Sequence, residues 1–420
     1  MSTTKSRLHH MSRRKKICFA AIIMTLSTVV SLIAAELSLR FLEKYNANQR
    51  QHFLDYSDTW RSGGVGPGGY LKEGFKGQVL DGYGGTVTWI NNSQGFRNQQ
   101  DFSKRPPQGT LRILSMGDSF TAGYRVDQND TFSKQLEIWS TNFFGPTEVL
   151  VSCIESPYKG LQYLKQQGYT WFPHMVILGI TLGNDIAQAY VSLHQEVIEF
   201  KDEFKDELEN EFKNELEKLV LPDYCFLQRD RLDNVILDSI VWLQQQRLYN
   251  IVFKPPKSIA SWYGNKEKSR LFDGVNGLGM YIKRPPTEIE DAYDRLFRIL
   301  LDFKKFCIMH GIRFVIAIFP QRFQVQPDDW KVTLRDYSLR NEQFDLMLPN
   351  HRLQDFCDRN SIICIDPTEH MKKYYETTAQ NLYLPYGDMH WNRYGHRVWL
   401  EGAKPSLSPL LREIFQEIGK

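Results

Sequence analysis

Five short, mainly apolar runs separated by segments of helical periodicity most constrain how this chain can fold. The runs are 111–116, 148–153, 175–180, 314–319 and 362–365, and the helical segments are 131–141, 161–167, 296–310 and 352–359. Strands that are apolar along their whole length are buried on both faces, which is typical of a parallel sheet covered by helices. The sequence therefore predicts a three-layer α/β/α fold with a five-stranded parallel sheet, and a switch point in it would suit flavodoxin-like winding.

The N-terminus combines a basic cluster with an uncharged run. Residues 1–16 contain six Lys and Arg residues and no acidic residue, and the nineteen residues from Ile17 to Ala35 carry no charge. Such a run is long enough to cross a bilayer as a helix, and the basic cluster favours a cytoplasmic N-terminus. We therefore expect a transmembrane anchor over 17–36 and the remaining chain on the periplasmic or other extracytoplasmic side of a cell inner membrane. A cleaved signal peptide is the alternative, although Ile33-Ala34-Ala35 matches a cleavage site only in part.

The rest of the chain divides by its composition. The expected segments are a linker and small β lead-in over 37–109, a first part of the α/β domain over 110–190, an insertion over 191–286, and a second part over 287–420. Glycines mixed with Val87, Trp89 and Ile90 suggest a hairpin or edge strand over 82–96. In the insertion, apolar residues recur every four positions over 199–217, which predicts a mainly helical segment. A solvated helix and a partner-docking helix are the two interpretations.

Charge and cysteine content exclude several classes of function. The 52 basic and 49 acidic residues nearly cancel, so the total gives no case for a nucleic-acid partner. The six cysteines form no Cys-x-x-Cys pair, and there is no phosphate loop or dinucleotide fingerprint. We therefore expect no metal and no cofactor. The sequence leaves open whether any two cysteines form a disulfide.

Three short motifs follow in order along the chain. Gly117-Asp118-Ser119 ends the first apolar run, Gly183-Asn184-Asp185 follows the third, and Asp388-Met389-His390 lies near the C-terminus. A serine at the carboxyl end of a parallel strand lies where α/β folds bind their ligands. In order and spacing, the three motifs resemble those of the SGNH (GDSL-type) hydrolase superfamily, over roughly residues 110–190 and 290–415.

The resemblance implies a serine triad. Ser119 would be the nucleophile, His390 the base that activates it, and Asp388 the group that orients His390. The residues Gly117, Asp118, Gly183 and Asp185 would support the motifs. Asp388 and His390 enclose one residue where many members of the superfamily have two, so the alternatives are that Asp388 orients His390 differently or that Asp185 shares this role. Its other interpretation is a cap on the helix after the third strand.

The resemblance also implies donors for an oxyanion. The Ser119 amide and the Asn184 side chain match two of the usual three. The third normally comes from a glycine after the second strand, and this chain has Ile154-Glu155 there. We expect a backbone amide near Ile154 or Glu155 to replace it, and Ile154 is the residue we select.

The favoured function is that of a membrane-anchored serine esterase acting on acyl groups of cell-surface glycans or on another ester. One alternative is a glycan O-acyltransferase that uses the same triad. The other is a non-catalytic scaffold or binding protein, which the missing glycine would favour. The sequence does not identify a partner membrane protein.

Overall fold

The structure, a computed structural model, describes a subset of the chain. The described residues are 59, 66–189 except 82, 84 and 187, and 277–419 except 286, 337–338 and 386–387, and all belong to one compact unit. The predicted anchor over 17–36 and most of the predicted insertion lie outside them. Among the described helices, none combines the length and the apolar character needed to cross a bilayer.

The described residues form seven β-strands and nine α-helices. The strands are β1 (Lys76–Leu80), β2 (Thr86–Ile90), β3 (Leu111–Gly117), β4 (Thr147–Cys153), β5 (Met175–Thr181), β6 (Arg313–Phe319) and β7 (Ile363–Ile365). The helices are α1 (Ser119–Ala122), α2 (Phe132–Phe143), α3 (Pro157–Gln166), α4 (Thr287–Met309), α5 (Arg322–Val325), α6 (Pro327–Asp336), α7 (Leu348–Arg359), α8 (Thr368–Thr378) and α9 (Arg393–Ile418).

The main sheet has five strands in the order β4-β3-β5-β6-β7, and every neighbouring pair is parallel. This confirms the predicted α/β fold and its flavodoxin-like strand order. The chain moves from β3 to β4 on one side and then to β5 on the other side. The carboxyl end of β3 therefore lies at the switch point, where ligands bind in open sheets of this kind.

The two faces of the sheet carry separate apolar clusters. Successive side chains of a strand point to opposite faces. On β3, Leu114 and Met116 belong to a cluster with residues of α3, α4 and α7, whereas Leu111 and Ile113 belong to one with residues of α2 and α9. All seven residues of β3 and of β5 are buried. Helices cover both faces of the central strands, and these strands are therefore mainly apolar along their whole length.

The lead-in folds as an antiparallel hairpin of β1 and β2. The sequence located β2, but β1 lies before the predicted 82–96 range because Lys76, Gly77 and Gln78 give it little apolar character. A third apolar cluster joins Val79, Val87 and Trp89 to Ala122 of α1. The hairpin thus packs against the short helix that follows the switch point.

Candidate active site

Ser119 begins α1 directly after β3, at the switch point. Asp118 caps this helix, because its Oδ1 accepts a hydrogen bond from the Phe120 amide at 2.9 Å. Gly117 is required by space, since a Cβ there would lie 2.1 Å from the Thr121 Oγ1. The Ser119 hydroxyl is half-buried at the edge of the sheet.

The fold brings His390 to Ser119 across 271 positions of the sequence. The His390 Nε2 lies 2.6 Å from the Ser119 Oγ. On the other side of the ring, the His390 Nδ1 lies 2.7 Å from the Asp388 Oδ1. The three side chains that the sequence selected are therefore hydrogen-bonded in the order Ser119, His390, Asp388.

The single-residue spacing between Asp388 and His390 is compatible with this geometry. The Asp388 Oδ1 accepts from the His390 amide at 3.0 Å as well as contacting the ring. Burial alone would raise the pKa of Asp388, but its hydrogen bonds to His390, with the charges of His390 and Arg125, hold that pKa below its ordinary value. The carboxylate is thus kept ionised and aligned with the imidazole.

Aromatic rings hold the imidazole of His390 from the side of α1. The Tyr124 ring centroid lies 4.4 Å and the Phe120 centroid 5.0 Å from that of His390. The next residue, Arg125, has a left-handed backbone with φ of 58°, which costs a non-glycine residue about 1 kcal/mol. Its Nη1 lies 3.9 Å from the Asp388 Oδ2. Tyr124 and Arg125 carry no motif and could not be identified from the sequence.

Arg322, the first residue of α5, holds the loop that carries Asp388 through hydrogen bonds to backbone carbonyl oxygens. Its Nη1 donates to the carbonyl oxygens of Leu384 at 2.9 Å and Asp388 at 3.2 Å, and its Nε donates to the Asp329 Oδ2 at 2.8 Å. The Leu384 amide in turn donates to the His390 carbonyl at 2.8 Å. The position of Arg322 just after β6, at the same edge of the sheet as Ser119, was the one feature of the sequence that pointed to its place at the site.

The structure places one of the predicted oxyanion donors differently from our expectation. Asn184 lies at the site, with its Nδ2 3.4 Å from the Asp118 Oδ2. The Ile154 amide donates to the Gly117 carbonyl at 2.8 Å and extends the β3–β4 ladder. Our selection of Ile154 was therefore wrong, because that donor is already used within the sheet.

Glu155 is the remaining candidate of the pair for the third donor. Glu155 is not one of the described residues that have a positive φ. A side chain at this position therefore introduces no left-handed backbone strain. The Glu155 side chain is exposed, and its charge contributes, after burial, to raising the pKa of Tyr70 to about 12. The side chain at this position therefore adds a negative charge beside Tyr70.

Asp185 and His396 have structural contacts instead of contacts with Ser119. The Asp185 Oδ2 accepts from the Thr181 amide at 2.7 Å, which closes the turn at Gly183 after β5. Burial, together with the charge of Asp118, raises the pKa of Asp185 well above its ordinary value despite that hydrogen bond. The His396 Nδ1 lies 3.3 Å from the Phe132 amide, which donates to it. Neither residue replaces Asp388 or His390.

The lead-in contributes a buried arginine to the site region, a role the sequence did not reveal. The Arg97 guanidinium donates to the carbonyl oxygens of Ala122, Gly123 and Val126, which follow Ser119 at the end of α1 and beyond. The same guanidinium lies 3.6 Å from the centroid of the buried Trp89 ring. The lead-in thereby fixes the loop that carries Tyr124 and Arg125.

Two further expectations concern metals and disulfides. Within the ranges that the structure describes, no three His, Cys, Asp or Glu side chains are grouped so as to hold a metal ion. Of the six cysteines, those at 153, 307, 357 and 364 are described, and all four are free thiols.

Comparison with known proteins gives matches among solved structures. No protein-family model and no curated protein matches the chain. TesA matches with 10% identity over 71% of this chain and 99% of its own, at a TM-score of 0.36. The acetyl xylan esterase AlAXEase matches with 8% identity over 71% of this chain and 100% of its own, at a TM-score of 0.35. A GDSL-like lipase from Bacteroides thetaiotaomicron matches with 10% identity over 71% and 88%, at a TM-score of 0.31. At these identities the side-chain geometry, and not the likeness, supports a functional conclusion.

Proposed function

We propose that this chain is a serine esterase of the SGNH (GDSL-type) hydrolase superfamily. One observation carries the proposal: Ser119, His390 and Asp388 form a continuous hydrogen-bonded series, with contacts of 2.6 and 2.7 Å, at the switch point of a parallel sheet. Three residues in this order constitute a serine triad whatever their positions in the sequence. The fold alone would not specify the activity.

The mechanism follows from the contacts of each side chain. His390 accepts the hydroxyl proton through Nε2 as the Ser119 Oγ forms a bond to the carbonyl carbon of the ester. Asp388 stabilises the resulting imidazolium through Nδ1. The Ser119 amide, the Asn184 side chain and the Glu155 amide are the proposed donors to the tetrahedral oxyanion. Collapse of this intermediate breaks the ester bond, and His390 returns the proton to the departing alcohol.

Water then completes the cycle. It donates a proton to His390 as its oxygen attacks the acyl carbon, and a second tetrahedral intermediate releases the carboxylic acid and restores Ser119. The side chains of His390 and Asp388 are 25% and 22% exposed, so water reaches the site. Transfer of the acyl group to a sugar hydroxyl requires the exclusion of water, so this exposure favours hydrolysis over the acyltransferase alternative.

We propose an acyl group on a cell-surface glycan as the substrate, and the inner membrane as the location. The uncharged run over 17–35, preceded by six basic residues, supports an anchor with the catalytic domain outside the cytoplasm. Alkaline carbonate extraction of membranes and protease treatment of spheroplasts test this location. Release of the chain by carbonate, or its protection from protease, would contradict it.

The activity is tested with the full-length chain in a mild detergent. We expect hydrolysis of p-nitrophenyl acetate and labelling by a fluorophosphonate probe, and we expect Ser119→Ala to abolish both. Ser406→Ala is the matched control, because Ser406 is exposed on α9. A folded wild-type chain that neither hydrolyses the ester nor takes the label would refute the esterase and favour the binding-protein alternative.

A further inference from the structure

A cavity of about 490 Å³ lies beside the proposed triad. Four parts of the chain form its walls: residues 81, 83, 86 and 87 of the hairpin region, the loop 125–130 after α1, the loop 380–384, and the start of α9 at 392–394. The first of these segments belongs to the lead-in and the others to the α/β domain. We call this cavity the lead-in pocket.

The lead-in pocket adjoins the site on the side of Asp388. Arg125 lines the pocket and also lies 3.9 Å from the Asp388 Oδ2. Leu384 lines it as well, and its amide donates to the His390 carbonyl. Ser119 and His390 are not among the lining residues. A group bound in the pocket therefore lies on the Asp388 side of the proposed triad and does not itself carry the reacting ester.

The walls carry charges of both signs. Five charged side chains line the pocket, namely Asp81, Arg125, Asp127, Asp130 and Arg393. Burial raises the pKa of Asp130, while the neighbouring Arg393 opposes that shift. An alkyl chain placed here would remove these groups from water at a cost, and an ion of either sign would meet its own sign in the walls. A neutral ligand rich in hydroxyl groups fits, because each hydroxyl both donates and accepts.

Several polar side chains of the pocket are held in place by the surrounding structure. The Asp81 Oδ1 accepts from the amides of Tyr83 and Gly85 at 2.7 and 2.9 Å. The Asn392 Nδ2 donates to the carbonyl oxygens of Asn381 and Tyr383 at 2.9 and 3.0 Å. Groups fixed in advance lose little conformational freedom when a ligand binds.

An aromatic ring stands at the rim of the pocket. Tyr83 is 59% exposed, although large aromatic side chains are usually mostly buried, and its phenol oxygen lies 3.3 Å from the Asn392 Nδ2. The ring therefore presents a flat apolar surface close to the charged side chains that line the pocket. The C–H face of a sugar ring can pack on such a surface while its hydroxyls reach the walls. Across the pocket, Arg125 keeps its strained left-handed backbone, a feature that clusters at ligand-binding sites.

We propose that the lead-in pocket binds a neutral sugar unit of the glycan chain, next to the unit whose acyl group reacts with Ser119. This inference rests on the proposed esterase function. It makes the hairpin a specificity element, because esters of oligosaccharides reach the pocket and esters of monosaccharides do not. Tyr83 and Asp130 are the side chains on which we expect binding to depend most.

Binding is tested with the full-length Ser119→Ala chain, which cannot consume a substrate, on an array of neutral and acidic oligosaccharides. We expect neutral oligosaccharides of two or more units to bind, and Tyr83→Ala or Asp130→Asn to weaken that binding at least tenfold. Phe143→Ala is the matched control, because Phe143 is an aromatic residue of α2 that is 73% exposed and does not line the pocket. The absence of any bound neutral oligosaccharide, or equal binding by the Tyr83 and Phe143 variants, would overturn the proposal.

A second measurement separates this inference from the esterase proposal. Wild-type and Tyr83→Ala chains are compared on acetylated forms of the bound oligosaccharide and of its monosaccharide. We expect the ratio of kcat/KM for the oligosaccharide to that for the monosaccharide to fall at least tenfold in Tyr83→Ala. An unchanged ratio in an active enzyme would refute the pocket alone, whereas loss of fluorophosphonate labelling in the wild type would refute the esterase.

Discussion

Replacement of Arg97 by alanine tests whether the lead-in supports the active site. The guanidinium is buried, with 1% of the residue exposed, and donates to the carbonyl oxygens of Ala122, Gly123 and Val126. These carbonyls belong to the loop that begins where α1 ends, three residues after Ser119. Arg97→Ala leaves all three acceptors without this donor and leaves a space beside Trp89.

The expected loss of stability follows from these contacts. A hydrogen bond to a charged group contributes about 1.5–3 kcal/mol, and a desolvated cation–π contact about 2 kcal/mol. A simple sum overestimates the loss, because water can enter the space and hydrate part of the loop. We expect the free energy of unfolding to fall by about 3–5 kcal/mol, because each buried carbonyl oxygen left without a donor costs about 1–3 kcal/mol and water recovers part of that loss.

The same change should reduce activity without touching the reacting atoms. The Tyr124 amide donates to the Ser119 carbonyl at 2.9 Å, so movement of the loop displaces both Ser119 and the ring that contacts His390. A displacement of about 1 Å at a reacting group can cost about 100-fold in rate. We expect kcat for p-nitrophenyl acetate to fall by about 10- to 100-fold, with a smaller change in KM.

Urea unfolding followed by circular dichroism measures the first effect, and steady-state kinetics below the unfolding transition measure the second. Arg412→Ala is the control, because Arg412 is exposed on α9 and a surface substitution changes stability by about 0.5 kcal/mol or less. A loss of stability below about 1 kcal/mol together with unchanged kcat would refute the reasoning.

Three other variants test individual groups. Asp388→Asn should lower kcat by about 10⁴-fold with little change in melting temperature, because the amide no longer fixes the tautomer of His390; p-nitrophenyl acetate kinetics and a melting curve check this. Burial, with the charges of Arg97 and His390, lowers the pKa of His396 from 6.5 to about 3, so only the unfolded chain takes up this proton between those values. The stability that neutral His396 contributes is therefore fully present above pH 6.5 and falls by about 1.4 kcal/mol per pH unit below it. His396→Gln should remove this contribution, which urea unfolding at pH 7 and pH 4 measures. Glu155→Gln should raise kcat/KM for p-nitrophenyl acetate, by less than about tenfold, because it removes a screened negative charge from the residue whose amide is the proposed third oxyanion donor; a decrease would contradict that sign.

The sequence predicted the sheet because its strands are short, mainly apolar runs. Such runs are typical of parallel strands that helices cover on both faces. β3, β4 and β5 begin and end within one residue of the predicted bounds. Helix beginnings were predicted less well: α4 starts at Thr287 instead of 296, because the polar first turns carry no apolar signal. The helix α9 was not predicted, since Pro405 and Pro409 lie inside it.

The site was predictable where a motif marks it and unpredictable where only the folded chain brings residues together. The contacts among Ser119, His390 and Asp388 agree with the motifs. Ile154 was selected wrongly because the strand register determines which backbone amides form hydrogen bonds between strands, and the register is not visible in one sequence. Arg97 and Arg322 act on carbonyl groups at least 25 and 62 positions away, and no spacing rule relates such residues.

The distance between Ser119 and His390 along the chain also determines when the site can exist. All five strands of the main sheet are synthesised before residue 390, and the proposed base comes from the loop that precedes the last helix. At ribosomal rates of about 5–20 residues per second, the 271 positions separating the two residues take roughly 15–50 s to synthesise. During that interval the nascent chain carries Ser119 without His390, so the proposed site cannot form before residue 390 has been made.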